Sequence, residues 1–121
     1  MKIVIPVDNK SLDSQVANTF GRAPFYLVYD TEGEKPSFVD NSAARSQGGA
    51  GIKAAQIVVD TGAKVLIAPQ CGENAAKVIK AANIEIYKNE TDSVSDTIRA
   101  FKEGKLSKLD DIHSGYHRRG D

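Results

Sequence analysis

Val65-Leu66-Ile67-Ala68, then Ala75, Val78, Ile79 and Ala82 at helical spacing, then Ile84-Glu85-Ile86-Tyr87 form one strand–helix–strand unit. The two short apolar runs read as strands, the first of them buried. The four residues between them fall on one face of a helix. A strand, a crossover helix and a second strand in one sheet run parallel, with a right-handed connection. This unit predicts an α/β domain.

The pattern extends in both directions. Upstream, Ile52, Ala55, Val58 and Val59 predict another helix, with Gly62 ending it. Ile3-Val4-Ile5-Pro6-Val7 reads as a strand covered on both faces, with Pro6 expected near its carboxyl end or at an edge. Phe25–Tyr29, a turn at Thr31–Glu34 and a returning run at Lys35–Asn41 predict an antiparallel hairpin. Downstream, Val94, Ile98 and Phe101 mark a last helix, opened by Ser93-Val94-Ser95-Asp96 and closed by Gly104. The order β-β-β-α-β-α-β-α implies a mixed five-stranded sheet with helices on its faces. Beyond Gly104, Leu106, Leu109, Ile112 and Tyr116 are the only sizeable apolar groups. Residues 1–106 are therefore expected to form the domain and 107–121 a flexible tail.

A length of 121 residues fits one domain. Sixteen basic side chains balance sixteen acidic ones, which argues against a general nucleic-acid binder. With Cys71 as the one cysteine, disulfides within the chain and centres built from several thiolates are excluded. Apolar runs of about five residues fall far short of the roughly 20 that span a bilayer. The first residues pass directly into a strand and leave no room for a signal peptide, so the expected location is the cytoplasm.

Ligands of open α/β sheets collect at the carboxyl ends of the strands. Three segments are expected to converge there: Val7–Ser11, Ser46–Gly51 and Pro69–Asn74. In the second, Gly48, Gly49 and Gly51 allow close backbone approach at a helix start, where free N–H groups favour an anion. The same run also suits a turn with no ligand, and it matches neither common nucleotide-binding fingerprint. Arg22 and Arg45 flank it and offer fixed positive charge, or simply solvated surface. Cys71 precedes a helix, which suits a thiolate metal ligand; a small buried hydrophobe is the other reading. His113 and His117, four apart in the tail, would share a helical face and ligate a metal, but Gly115 between them favours a solvated tail. Asp8 and Asp30, each ending a strand, are the candidate pair for a divalent ion, whereas Asp40 and Asp60 read as turn and helix-end residues.

Several motifs resemble one known family. Phe20-Gly21-Arg22-Ala23-Pro24-Phe25-Tyr26, Gly48-Gly49-Ala50-Gly51-Ile52, Gly72-Glu73-Asn74-Ala75, Asn83–Tyr87 and Phe101–Leu106 occur in the order of the dinitrogenase iron–molybdenum cofactor biosynthesis family. These NifX-like domains also occur at the carboxyl end of NifB proteins, and the resemblance spans residues 1–106. It implies a ribonuclease-H-like fold without nuclease activity. The implied role is non-catalytic: binding or carrying an anionic iron–sulfur or iron–molybdenum cofactor precursor, alongside cofactor-assembly proteins. Gly48, Gly49, Gly51, Arg22, Arg45 and Cys71 are the residues expected to hold it, with Cys71 as metal ligand. The family often carries a histidine before Phe-Gly-Arg; here Thr19 stands there. The competing reading is a divalent-metal-dependent phosphoester hydrolase or nucleotide-binding enzyme using Asp8 and Asp30.

Overall fold

The structure, a computed structural model, describes residues 1–109. Strands β1 (Lys2–Val7), β2 (Phe25–Asp30) and β3 (Lys35–Asp40) come first, followed by a 3₁₀ turn at Ser42–Arg45. Helix α1 (Ala50–Asp60), strand β4 (Val65–Ala68), helix α2 (Glu73–Ala81), strand β5 (Glu85–Lys88) and helix α3 (Val94–Lys102) complete the order. The five strands form one sheet in the order β3-β2-β1-β4-β5. β2 pairs antiparallel with both β1 and β3, while β4 pairs parallel with β1 and β5. The expected mixed sheet and element order are both present.

β1 lies at the centre, which explains its unbroken apolar run. Val4 faces a core shared with Leu66, Ala54, Ala55, Val58, Ala76 and Ile79, under α1 and α2. Ile3, Ile5 and Val7 face the opposite core, with Leu27, Ile67, Val94 and Ile98, under α3. Alternation along the strand thus feeds two layers of helices. Pro6 sits near the carboxyl end, as expected, but in a central strand. Its missing N–H costs no bond to β4, because that pairing involves only Ile3 and Val4.

Two expectations are corrected. Ile52 belongs to α1 but not to its core face, and 47% of it is exposed. Ala50, Ala54, Ala55 and Val58 are buried instead. Small side chains bring the helix close to its neighbours, and the rotation leaves Ile52 on the open side. The second correction concerns the tail. Leu109 N–H donates to Ile86 O and Lys88 N–H to Ser107 O, each at 2.9 Å, so Ser107–Leu109 cover the outer edge of β5. Leu109 is only 5% exposed. A bare edge would leave backbone groups open to other chains, and this segment satisfies part of it. His113 and His117 lie outside the described residues.

Capping follows the sequence. Ser93 Oγ accepts from Asp96 N–H at 3.2 Å to start α3, and Gly104 has a φ of +71° just past its end. Among the described residues, no helix is long and apolar enough to cross a membrane.

Candidate functional site: a cleft between two helix starts

Parallel βαβ connections put the beginnings of α1 and α2 at the same end of the sheet. Gly49 caps α1 and Gly72 caps α2, and neither helix has a side-chain cap. The first-turn N–H groups lack partners inside their own helices, and both positive dipole ends point the same way. Gly49 has a φ of +69°, a left-handed conformation that glycine adopts without strain. A Cβ on Gly49 or Gly72 would meet nothing within 4 Å, so open space lies over both caps.

That space is a cleft of about 540 Å³, lined by Thr19–Arg22, Gly49–Ile52 and Gln70–Ala75. Two of the three expected loops meet here. The third does not: residues 8–11 are absent from the lining, and Lys10 Nζ instead pairs with Asp40 at 3.2 Å. Thr19–Arg22 takes its place, because the chain after β1 returns across the strand ends before entering β2. Residue types singled out Arg22 but not Thr19–Gly21, to which only the Phe-Gly-Arg resemblance pointed.

Buried polar contacts hold the segment. Asn41 is 2% exposed, and its Nδ2 donates to Gly21 O at 3.0 Å and to Ala23 O at 2.8 Å. Its Oδ1 accepts from Ala43 N–H at 3.1 Å and starts the 3₁₀ turn. Tyr26 donates its hydroxyl to Phe20 O, and the two rings pack with centroids 5.5 Å apart. Burial pushes the Tyr26 phenol well above its usual range, so it remains a donor. Gln70 Nε2 donates to Asn18 O at 3.0 Å and ties the loop before α2 to the segment leading into β2. Asn41 was missed as a site residue, although Asn followed by Ser-Ala-Ala-Arg is a legible cap signal.

The expected site residues divide into two groups. Gly49, Gly51, Arg22 and Cys71 line the cleft; Gly48 and Arg45 do not. Arg22 Nη1 donates to Ala44 O at 3.0 Å and Ser46 O at 2.9 Å, so its guanidinium braces the turn while reaching the cleft rim. Arg45 instead faces a neighbouring hollow of about 430 Å³, shared with Arg22, Asp40 and Asn41. Glu73 is the one carboxylate of the cleft lining.

Cys71 differs from expectation in its chemistry. It is 1% exposed, and burial pushes its thiol up to about 11, against a smaller opposing effect of Lys80. Burial disfavours the charged thiolate, so the thiol is protonated at neutral pH until something replaces its proton. Asp8 and Asp30 are also corrected. Because β1 and β2 are antiparallel, Asp30 stands opposite Lys2 while Asp8 follows Val7. Six residues of strand, roughly 20 Å, separate them. Asp30 lies 3.8 Å from the N-terminal ammonium. Asp60 ends α1, as expected, whereas Asp40, expected in a turn, is the last residue of β3 and pairs with Phe25. Among the described residues, no three His, Cys, Asp or Glu side chains are grouped to hold a metal ion.

The profile of the dinitrogenase iron–molybdenum cofactor family matches residues 1–104. The chain belongs to this family. An uncharacterized protein of Methanocaldococcus jannaschii is 30% identical over 113 residues, covering 91% of this chain and 92% of its own. The apo form of the orange protein from Desulfovibrio gigas superimposes with a TM-score of 0.86 at 29% identity, over 90% of this chain and 92% of that one. A Thermotoga structure provisionally assigned as a NifB protein gives 0.79 at 36% identity, over 98% of both chains. Membership in the family therefore extends across nearly all the described residues, and the cleft's three segments lie within the matched range.

Proposed function

We propose that this protein binds or carries, without catalysis, an anionic iron–sulfur or iron–molybdenum cofactor precursor in the cleft between α1 and α2. One observation carries the reading: two helix starts capped by bare glycines open onto one cleft of about 540 Å³. Such an arrangement offers backbone donors and dipole charge to a bulky anion over two caps that carry no side chain, with Glu73 the one carboxylate in the lining. Family membership supports the same cargo class. The strand order, with the second strand antiparallel to the first, supports the ribonuclease-H-like reading.

The residues fit a preformed cargo better than a cluster assembled in place. Among the described residues, one thiol and no grouped ligand set do not hold bare iron ions, whereas a species bringing its own sulfides needs few protein ligands. In this reading Gly49, Gly51 and Gly72 present N–H groups, Arg22 supplies charge at the rim, and Cys71 gives one thiolate from the floor. Gly48 and Arg45 lie outside the cleft lining, and Arg45 adds positive charge beside it. The distance between Asp8 and Asp30 leaves the hydrolase reading without its metal site.

Tetrathiomolybdate or a soluble iron–sulfur cluster, added without oxygen, tests the proposal. Charge-transfer absorption at one equivalent is the expected result, weakened in Arg22→Gln and altered in Cys71→Ser. Unchanged spectra and no retained metal at stoichiometric protein would remove the proposal.

A further inference from the structure

A net charge of zero conceals an uneven distribution. Residues 14–29 and 41–59 contain no aspartate or glutamate, yet they carry Arg22, Arg45 and Lys53. The fold gathers these three cations around one short turn. Arg22 is bound to the carbonyls of Ala44 and Ser46, and Lys53 Nζ lies 3.2 Å from Ser46 Oγ. Arg45 belongs to the same turn, and all three residues are exposed. Among the described residues, every ion pair uses other cations.

We propose that this turn is a docking surface for a carboxylate-rich segment of a partner protein, seated on Arg22, Arg45 and Lys53 at the lip of the cleft. Charge complementarity selects the occupant. A small dianion inside the adjoining hollow would meet the Asp40 carboxylate, which lines it with Arg22 and Arg45. Carboxylates on an extended chain can instead reach each cation from outside. Arg22 holds its place through two backbone carbonyls, so it meets a partner with little left to order. Three cations on a neutral chain are few for tracking a phosphate backbone, whose binding rests on releasing many counterions. Complementary charge of this kind raises association rate and fixes orientation more than it adds affinity, which suits a transient encounter. Because Arg22 also lines the cleft, a docked partner sits at its mouth. Docking does not depend on what the cleft holds.

The test uses the full chain, without cargo, and a fluorescein-labelled octaglutamate peptide read by anisotropy at low salt. The peptide is expected to bind, and added salt to weaken it, because exposed charges are screened. Arg45→Glu and Lys53→Glu should each weaken it by about tenfold, since each places like charge against the peptide. Lys64→Glu, before β4 at the other end of the sheet, should leave binding within about twofold, beyond the reach of screened charge. Circular dichroism of each variant confirms that it is folded. Three results would overturn the proposal: no peptide binding, equal loss in Lys64→Glu, or equal binding of a single-stranded oligonucleotide with the same loss in the two reversals.

Discussion

Gly21 and Gly51 meet backbone to backbone: a Cβ built on Gly21 would stand 3.2 Å from Gly51 Cα and 3.3 Å from its N. The segment before β2 can therefore lie against the first turn of α1 only because Gly21 has no side chain at the contact. That approach closes one wall of the cleft.

The two glycines should respond differently to alanine. Gly21→Ala pushes a methyl against backbone that cannot rotate away and should cost about 1–3 kcal/mol. A Cβ on Gly51 would meet only Ala75 Cβ at 3.6 Å, ordinary contact, within a helix that favours alanine. Gly51→Ala should therefore be neutral or stabilising by up to about 1 kcal/mol. Thermal melts of both variants decide this, and equal losses would contradict the contact.

Asn41→Ala should be among the most damaging changes outside the apolar core. It strips donors from Gly21 O and Ala23 O and the acceptor from Ala43 N–H, all around a side chain that is 2% exposed. Buried groups left without partners should cost about 2–4 kcal/mol in total. Asn41→Asp should not rescue the loss, because a carboxylate would face two carbonyls. Urea unfolding midpoints measure both.

Cys71 predicts a specific alkaline weakness. Its folded thiol is pushed up to about 11, whereas an unfolded thiol titrates near 8.5. Below that unfolded value the contribution to stability is complete. As pH rises through the window, the unfolded chain releases its proton first, and stability should fall by about 1.4 kcal/mol per pH unit. The fall should level off above the folded value. Cys71→Ala should lack this component while keeping Tyr26, so the difference between the two pH–stability curves isolates the thiol. Thiol reagents at neutral pH should modify the native protein slowly and the denatured protein at once.

Leu109→Ala tests where the domain ends. A leucine 5% exposed and packed in the α2 core should cost about 2–4 kcal/mol when truncated. An effect under about 0.5 kcal/mol, typical of surface positions, would return residues 107–109 to the tail.

Much of the fold was legible because its signals are local. Ser93 announces α3 through its own hydroxyl, Gly62 and Gly104 end helices through their φ, and apolar runs mark strands at any tertiary arrangement. Ile52 was misread because a helix's period gives the spacing of a stripe but not its rotation, which packing decides. Leu109 was misread because one apolar residue in a polar stretch has no period, and only the open edge of β5 gives it a place.

The site divides along the same line. The sequence by itself determined the α/β class, the glycines at two helix starts, the single thiol and the balance of charge. Each depends on residue identity or on neighbours within a turn or two. Tertiary structure alone decided that Asp8 and Asp30 stand at opposite ends, that Arg45 lies outside the cleft lining and that Cys71 is buried and protonated. It also decided that Arg22 and Lys53, 31 positions apart in the chain, meet at Ser46. These outcomes depend on strand direction, burial and long-range closure, which follow from the packing of the whole chain rather than from any stretch of it.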